Sequence, residues 1–281
     1  MPELPEMQAL SERLNDLLVE ARIVRADALS FSGLKTVAPA PATLAGMTVK
    51  GVTRRAKYLI FDLDQIHMLV HLSQGGRLDV ERPPKSTRPK GAVARVVLEP
   101  SDGGRVALLV KEFGTERKAA WWILHPGDPS PLDGLGPEPF SDEFAKLIAT
   151  SVDRRRLHTV LRDQHTVAGI GRGFADDILH EAMLSPFDSL ASLDGSEREA
   201  LVGATHKVLT AALERERERT GGLPTKLQGR FTVHGKAGEV CPRCGTELKR
   251  VSYESHEIAY CPQCQTKGKV LADRRLSRLL K

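Results

Sequence analysis

Apolar residues in the first half of the chain occur in short runs that turn-forming residues separate. The runs are rich in β-branched side chains and begin at Met47, Tyr58, His67, Ala92 and Arg105. Repeated short strands at this spacing are typical of a β-sandwich between Ile23 and Trp122. The preceding residues 6–19 repeat leucine at helical spacing, which predicts an opening helix with one apolar face.

The second half of the chain repeats its apolar residues at helical spacing. Ser141-Asp-Glu-Phe is typical of a helix start. Further helices are predicted over residues 154–164, capped by Asp153, and over residues 172–183 and 196–219. Between the halves, five prolines and three glycines fall between His125 and Pro139, which predicts an interdomain linker.

Composition narrows the class of protein. The chain has 281 residues, of which 41% are hydrophobic, so its length favours two large domains and its apolar content excludes a disordered chain. It has neither an apolar run long enough to span a bilayer nor a recognisable secretion signal, so we expect an intracellular protein. The net charge of +5 is compatible with an anionic partner such as nucleic acid, and equally with a generically basic protein.

The four cysteines form two closely spaced pairs, Cys241-Pro-Arg-Cys244 and Cys261-Pro-Gln-Cys264. Two such pairs separated by a short insert predict one tetrahedral Zn(II) site of the zinc-ribbon type, with residues 247–260 paired as a hairpin. The alternative is a pair of redox-active motifs. The ribbon is favoured because the pairs come together and are followed by Gly and Gln rather than by a helix start.

The segment Gly169-Ile170-Gly171 joins two predicted helices and follows no predicted strand. A dinucleotide-binding loop requires that strand, so this interpretation is rejected. Backbone N–H groups at the start of the next helix can bind a phosphate, although a purely structural turn explains the spacing equally well.

Several motifs occur in an order that resembles the bacterial formamidopyrimidine-DNA glycosylase and endonuclease VIII family. They are Met1-Pro-Glu-Leu-Pro-Glu6, Arg54-Arg-Ala-Lys57-Tyr-Leu, His71-Leu, Phe113-Gly114, Asp163-Gln164 with Val167-Ala-Gly-Ile-Gly171, Ala175-Asp176, and the segment from His234 to Cys264. The resemblance implies an α+β protein with an N-terminal β-sandwich behind an opening helix, a helix–two-turn–helix domain and a C-terminal zinc ribbon. It also implies binding of damaged double-stranded DNA, excision of the damaged base and cleavage at the abasic site.

The resemblance assigns the sugar chemistry to the N-terminal hexapeptide. Once Met1 is removed, Pro2 offers a secondary amine whose pKa starts near the α-amino value of about 8, so it can attack C1′ and form a Schiff base. Glu3 matches the general acid, and Lys57 matches a lysine that reaches the phosphate beside the lesion. Glu6 is a further catalytic candidate, or else a first-turn carboxylate that stabilises the helix dipole.

The candidate DNA-binding residues depart from the family pattern at most positions. They are His71, Gln74, Lys111, Phe113, His158, Arg172 and His256. Of the side chains expected to fill the space left by an extruded base, only the aromatic one, Phe113, is kept. Lys111 replaces an arginine and cannot make its bidentate base contact, and His256 replaces an arginine that assists δ-elimination. The loop from Gly221 to Leu227 also lacks the usual lesion-capping pattern.

The predicted organisation is a catalytic domain over residues 1–128, a linker over 129–140, a DNA-binding domain over 141–232, a zinc finger over 233–266 and a basic tail over 267–281. The expected function is that of a bifunctional DNA glycosylase and AP lyase holding one structural Zn(II), acting as a monomer in the bacterial cytoplasm at the nucleoid. An oxidised pyrimidine, a ring-opened purine and a bulky adduct all remain open as the lesion. A non-catalytic protein that binds damaged or branched DNA is the alternative.

Overall fold

A computed structural model describes residues 2–223, 229–253 and 256–272. Most of the loop from Gly221 to Leu227 and most of the predicted basic tail therefore lie outside the described residues. By their contacts, the described residues divide into two units. The first comprises residues 2–133 and 213–223, and the second comprises residues 134–212, 229–253 and 256–272.

The first unit opens with the predicted helix, α1 (Leu4–Leu18). Its residues Leu4, Leu10 and Leu14 recur at helical spacing and are at most 1% exposed. Asn15 Oδ1 accepts a hydrogen bond of 2.9 Å from the backbone N–H of Val52, which joins the helix to the start of a strand. The helix therefore closes the core with one face, as the sequence predicts.

Eight strands follow α1 and form two antiparallel sheets. They are β1 (Arg22–Ala28), β2 (Gly51–Arg55), β3 (Tyr58–Asp62), β4 (His67–His71), β5 (Gly76–Glu81), β6 (Ala92–Glu99), β7 (Val106–Glu112) and β8 (Ala120–Leu124). The strand order is β1-β6-β7-β5 in the first sheet and β2-β3-β4-β8 in the second. Side chains from both sheets, such as Phe61, Val96 and Trp121, meet in one apolar core, which confirms the predicted sandwich.

The second unit contains the predicted helices and the ribbon. The helices are α2 (Asp142–Thr150), α3 (Leu157–Arg162), α4 (Arg172–Glu181), α5 (Gly195–Arg217) and α6 (Pro262–Thr266), and the last turns of α5 belong to the first unit. The strands β9 (Lys249–Ser252) and β10 (Glu257–Tyr260) pair as the predicted antiparallel hairpin. Within the described ranges, no helix combines the length and hydropathy needed to cross a bilayer.

The expectation that Asp153 caps a helix over residues 154–164 is wrong. The helix α3 begins only at Leu157, with Arg156 at its N-cap. The carboxylate of Asp153 instead accepts hydrogen bonds from the backbone N–H of Arg155, at 2.7 Å, and from its guanidinium. These local hydrogen bonds satisfy the acceptor oxygens of the Asp153 carboxylate without a helix cap.

Candidate functional site

The first turn of α1 brings two candidate catalytic carboxylates into one reciprocal cap. The backbone N–H of Glu3 donates to Glu6 Oε2 at 2.8 Å, and the Glu3 side chain accepts from the backbone N–H of Glu6. The two residues are 2% and 0% exposed, and Pro2 before them is also buried. The cap orders Glu3, the residue that follows Pro2, and it gives Glu6 a structural role as a capping carboxylate in the first turn.

Lys57 lies in the two-residue turn between β2 and β3. Arg54 joins this turn to α1, because its Nε donates to Gln8 Oε1 at 2.9 Å and its Nη1 donates to the carbonyl of Ala56 at 2.9 Å. Lys57 is 5% exposed. The structure therefore connects the turn that carries the candidate phosphate-binding lysine to the helix that follows Pro2 and Glu3.

His71 at the end of β4 pairs with Tyr58, and the two rings stack with centroids 4.5 Å apart. Burial and, secondarily, the positive charge of Lys57 lower the pKa of His71 from 6.5 to about 4. His71 is therefore neutral at physiological pH. It adds no positive charge beside Lys57, and its ring can bind a partner only as a neutral donor or acceptor.

The three side chains predicted to enter the space left by an extruded base lie in adjoining segments. The backbone N–H of Phe113 donates to the carbonyl of Gly75 at 3.0 Å, which holds the Phe113 segment against the turn that carries Gln74. The Lys111 ammonium lies 5.4 Å from the centre of the Phe113 ring and forms an ion pair with Asp79. Phe113 is 52% exposed, so its ring is available to an external partner.

The glycine turn before α4 is organised by the side chain of Gln164. Its Nε2 donates to the carbonyls of Arg162 and Ile170 at 2.9 and 2.7 Å, and its Oε1 accepts from Gly169 N–H at 3.0 Å. Gly169 has a φ of +90°, a conformation that suits glycine. Arg172 is the first residue of α4, so its side chain and the amides of the first turn lie where an anion can bind.

The structure does not support the prediction that His158 contacts DNA. Its side chain is 1% exposed and its Nε2 lies 3.3 Å from Asp176 Oδ1. Asp176 Oδ2 accepts hydrogen bonds from His234 Nδ1 at 2.6 Å and from the backbone N–H of Ala259 at 3.1 Å. His158 therefore belongs to a buried polar cluster that joins α3, α4 and β10, and its Nε2 faces the carboxylate of Asp176.

His256 precedes β10 and is half-buried. Its ring stacks on that of Tyr253, with centroids 4.6 Å apart. It also lies nearly parallel to the ring of His158, with centroids 6.2 Å apart. Burial, followed by the positive charges of Arg162 and Arg172, lowers the pKa of His256 to about 4. The position that the family resemblance assigns to a permanently charged arginine thus carries a neutral ring at physiological pH.

The four cysteines converge on one centre. The sulfur atoms of Cys241, Cys244, Cys261 and Cys264 all lie within 4.8 Å of one another. This arrangement supports a single site that could hold a metal ion, rather than two separate redox pairs. The second pair does lie at a helix start, α6, contrary to the sequence expectation, because Cys261 is the N-cap of that helix.

Residues of α4 support the cysteine centre and the chain that leads to it. His180 Nε2 lies 3.2 Å from Cys241 Sγ. The carboxylate of Asp177 accepts three backbone N–H groups, from Thr232, Val233 and His234, at 2.6, 2.9 and 3.2 Å. No role for Asp177 is predicted from the sequence, because α4 also contains Arg172, Asp176, His180 and Glu181, and nothing in the local pattern distinguishes its buried carboxylate from these side chains.

Two family models match the chain: the formamidopyrimidine-DNA glycosylase N-terminal domain over residues 1–114 and the formamidopyrimidine-DNA glycosylase H2TH domain over residues 135–222. The formamidopyrimidine-DNA glycosylase of Symbiobacterium thermophilum is 33% identical over 98% of this chain and 93% of its own length. The Lactococcus lactis enzyme bound to DNA containing an AP site is 25% identical with a TM-score of 0.80, covering 94% of this chain and 99% of that one. Its complex with Fapy-dG-containing DNA also has a TM-score of 0.80 at 25% identity, over 94% of this chain and 100% of that one.

Proposed function

This chain belongs to the formamidopyrimidine-DNA glycosylase family, and from that premise we propose that it is a bifunctional enzyme, a DNA glycosylase for damaged bases that also cleaves the strand at the abasic site. The single observation that carries the proposal is the reciprocal cap of Glu3 and Glu6, because it orders the residue to which Pro2 is bonded at the start of α1. The proposal includes an AP lyase step in which Pro2 is the nucleophile.

The proposed reaction begins once Met1 has been removed and Pro2 carries a free secondary amine. Its nitrogen lone pair attacks C1′, the glycosidic bond breaks, and the bonding electrons leave with the base, which takes up a proton. The Pro2 nitrogen loses its proton after the attack, and Glu3 protonates O4′ as the nitrogen lone pair opens the C1′–O4′ bond, which leaves an iminium ion joining Pro2 to C1′. Loss of a C2′ proton converts the iminium ion to an enamine. The enamine electrons then form the C2′=C3′ bond and restore the C=N bond as the C3′–O3′ bond breaks and the 3′ phosphate leaves, and water finally hydrolyses the iminium ion and frees Pro2.

Lys57 is proposed to bind the phosphate next to the damaged nucleotide. The connection of its turn to α1 through Arg54 supports this role, because it fixes the lysine relative to Pro2. Because His71 is neutral, Lys57 is the cation of the neighbouring residues Lys57 and His71. Glu6 acts on this proposal through the cap, as a positioning residue for Glu3.

The proposed partner is damaged double-stranded DNA, bound by the monomeric protein. Gln74, Lys111 and Phe113 fill the space left by the extruded base, and Arg172 binds a phosphate at the start of α4. The metal is proposed to be one structural Zn(II), because four thiolates form a donor set that zinc prefers and that it binds in tetrahedral geometry. Zinc would hold the ribbon in its fold and takes no part in the reaction steps.

The proposed product distribution follows from His256. A neutral ring at that position is a weaker stabiliser of a leaving phosphate than a permanently charged guanidinium. We therefore expect β-elimination to dominate over δ-elimination. We propose that the lesion is an oxidised pyrimidine, a ring-opened purine or a bulky adduct, because Gln74 and Lys111 depart from the pattern that the resemblance implies for purine lesions.

The proposal is tested with duplexes that carry one lesion of each class, comparing the wild type with Glu3→Gln. We expect base release followed by strands that end in the β-elimination product, and a large loss of release in Glu3→Gln. Comparable amounts of β- and δ-product from an abasic duplex would contradict the role given to His256. Tight binding to lesion duplexes without base release or nicking, in protein whose Met1 is removed, would favour the non-catalytic DNA-binding alternative.

A further inference from the structure

The first sheet carries a groove at the end where β1 and β7 finish and β6 begins. Residues 29–32 form one wall, residues 112–117 form the other and residues 91–93 form the floor, and the groove encloses a volume of 620 Å³. Backbone hydrogen bonds hold both walls to the floor: Ser30 N–H donates to Val93 at 3.1 Å and Glu112 N–H donates to Gly91 at 2.8 Å. The groove is therefore part of the sheet architecture.

The groove is lined by aromatic and cationic side chains. Phe31 and Phe113 stand on opposite walls, with relative exposures of 103% and 52%. The cationic lining residues are Arg88, Lys90 and Arg117. The carboxylate of the acidic lining residue Glu112 is occupied, because its oxygens accept from Gly114 N–H at 2.6 Å and from Ala119 N–H at 2.9 Å. The lining thus carries three cationic side chains against one carboxylate, and the ring of Phe31 is fully exposed.

A buried ion pair positions the segment that supplies two of these cations. Glu81 and Arg95 are 8% and 4% exposed. Arg95 Nη2 lies 3.4 Å from Glu81 Oε1 and donates to the carbonyl of Thr87 at 2.8 Å, while Glu81 Oε2 accepts from Lys85 N–H at 3.2 Å. The Arg88 guanidinium in turn donates to the carbonyl of Leu29 on the first wall. The segment is therefore fastened to the sheet with its cations at the groove.

We propose that this groove binds one unpaired DNA nucleotide, with its base stacked on Phe31 and its phosphate among Arg88, Lys90 and Arg117. An aromatic face beside a positive groove is the combination that binds unpaired nucleotides without sequence preference. The volume lies within the range of ligand sites, roughly 300–1,000 Å³. The proposal rests on the proposed function only in taking DNA as the ligand, since Pro2, Glu3 and Lys57 do not line the groove.

The position of Phe113 connects the groove to the damaged site. This ring is the one expected to enter the duplex beside the extruded base, and it also forms part of the groove wall. The nucleotide has two possible sources of the same chemistry: the base left without a partner opposite the lesion, or a single-stranded segment flanking it.

The test is fluorescence anisotropy of labelled DNA with wild type and Phe31→Ala, which removes an exposed ring and leaves the core unchanged. The probes are an oligothymidylate single strand, a duplex with a stable abasic-site analogue and the fully paired duplex. We expect Phe31→Ala to weaken binding by about 5- to 100-fold on at least one unpaired probe and to leave the paired duplex unchanged. An effect on the abasic duplex alone identifies the opposite base as the source, and an effect on the single strand alone identifies a flanking segment.

The matched control is Val37→Ala, which shortens another fully exposed apolar side chain of the same unit and should change none of the three affinities. A combined Lys90→Gln and Arg117→Gln variant should reduce the number of ions released on binding by about one to two, for whichever unpaired probe Phe31→Ala weakens, whereas Arg105→Gln should leave that number unchanged. Wild-type affinity of Phe31→Ala for both unpaired probes, or an equal loss on the paired duplex, would overturn the proposal.

Borohydride trapping on an abasic duplex separates this proposal from the proposed function. A covalent adduct together with unchanged binding by Phe31→Ala would leave the enzyme and reject the groove. Absence of an adduct in wild-type protein, with binding that still depends on Phe31, would leave the groove and reject the lyase.

Discussion

At the scale of single residues, burial leaves two histidines among the candidate residues neutral. His71 and His256 both have pKa values lowered to about 4, chiefly by burial and then by neighbouring cations. Lys57 is the cation near His71, and Arg172 is a cation near His256. Both are proposed to bind DNA phosphates. Each of the two units thus carries a neutral imidazole beside a basic side chain, and residue type alone does not reveal that these two histidines are neutral.

Titration of His71 should make stability depend on pH. Its pKa in the folded protein lies below the unfolded value of 6.5, so the unfolded chain binds more protons between pH 6.5 and about 4. Folding stability should therefore fall as pH falls through that window. Urea unfolding at about pH 7.5 and about pH 5 should show a smaller loss in His71→Phe, which keeps an aromatic ring against Tyr58. An equal loss in wild type and variant would contradict the lowered pKa.

Two substitutions of Glu6 distinguish its capping role from a catalytic one. Glu6→Gln keeps an oxygen that can accept the 2.8 Å hydrogen bond from Glu3 N–H, whereas Glu6→Ala removes it. We expect Glu6→Ala to lose about 1–2 kcal/mol of unfolding free energy, measured by urea denaturation, and Glu6→Gln to lose much less. Nicking of an abasic duplex should follow the same order. Loss of nicking in a fully stable Glu6→Gln protein would instead assign the carboxylate to the chemistry.

At the scale of elements, the sequence predicted those with a clear repeat and missed those without one. Helix α1 was found within two residues at its start because its leucines recur at helical spacing. Three strands, β1, β5 and β8, were not singled out. The strand β5, Gly76–Glu81, mixes Arg, Asp and Glu with apolar residues, and its place is set by pairing with β7, which a local pattern does not contain.

The candidate site was predictable to the extent that its residues form linear motifs. Pro2, Glu3 and the cysteines stand in such motifs, whereas the burial of His158 depends on Asp176 and on the hairpin strand β10. Likewise, the groove joins residues near positions 30, 90 and 115, which become neighbours only when the first sheet forms. Pairing between distant strands creates these side-chain environments, and a local sequence pattern does not contain them.

Helix α4 supports the cysteine-bearing segment through Asp177, and this support can be tested by one amide substitution. Both carboxylate oxygens of Asp177 accept backbone N–H groups, so Asp177→Asn would turn an NH₂ group toward at least one of them. We expect a loss of about 1–3 kcal/mol in unfolding free energy by urea denaturation. Asp102→Asn, in an exposed turn, is the control and should change little. Equal stability of the two variants would contradict the support assigned to Asp177.

At the scale of the whole molecule, the two units do not coincide with the predicted domains. The predicted linker over residues 129–140 is divided between the units after Asp133, and the described residues of the predicted zinc finger share a unit with residues 141–212. Residues 213–223 belong with the N-terminal unit, although the sequence analysis assigned residues 141–232 to one domain. The contacts explain the difference: Arg217 binds Glu12 through two hydrogen bonds of 2.8 Å, and Arg13 donates to the carbonyls of Glu216 and Gly221. The last turns of α5 therefore pack on α1.

Removal of the metal should unfold the cysteine-bearing segment. Cys241 and Cys261 belong to an apolar cluster with Val233 and Leu248, and Cys264 packs against it, so we expect a bound metal to hold this cluster together. Elemental analysis should find one zinc per chain. A strong chelator should lower the melting temperature and weaken DNA binding, and added Zn(II) should restore both. Unchanged melting and DNA affinity after complete zinc loss would reject the structural role.

The central claim is that Pro2 is the nucleophile, and borohydride trapping tests it most directly. Protein whose N-terminus is verified by mass spectrometry is incubated with an abasic duplex and sodium borohydride, beside Pro2→Gly and Glu3→Gln. Hydride reduces the C=N bond, so the wild type should form a stable covalent adduct that peptide mapping assigns to Pro2, and Pro2→Gly should form far less. Absence of an adduct from correctly processed wild-type protein, or an adduct on a lysine that Pro2→Gly leaves intact, would contradict the account.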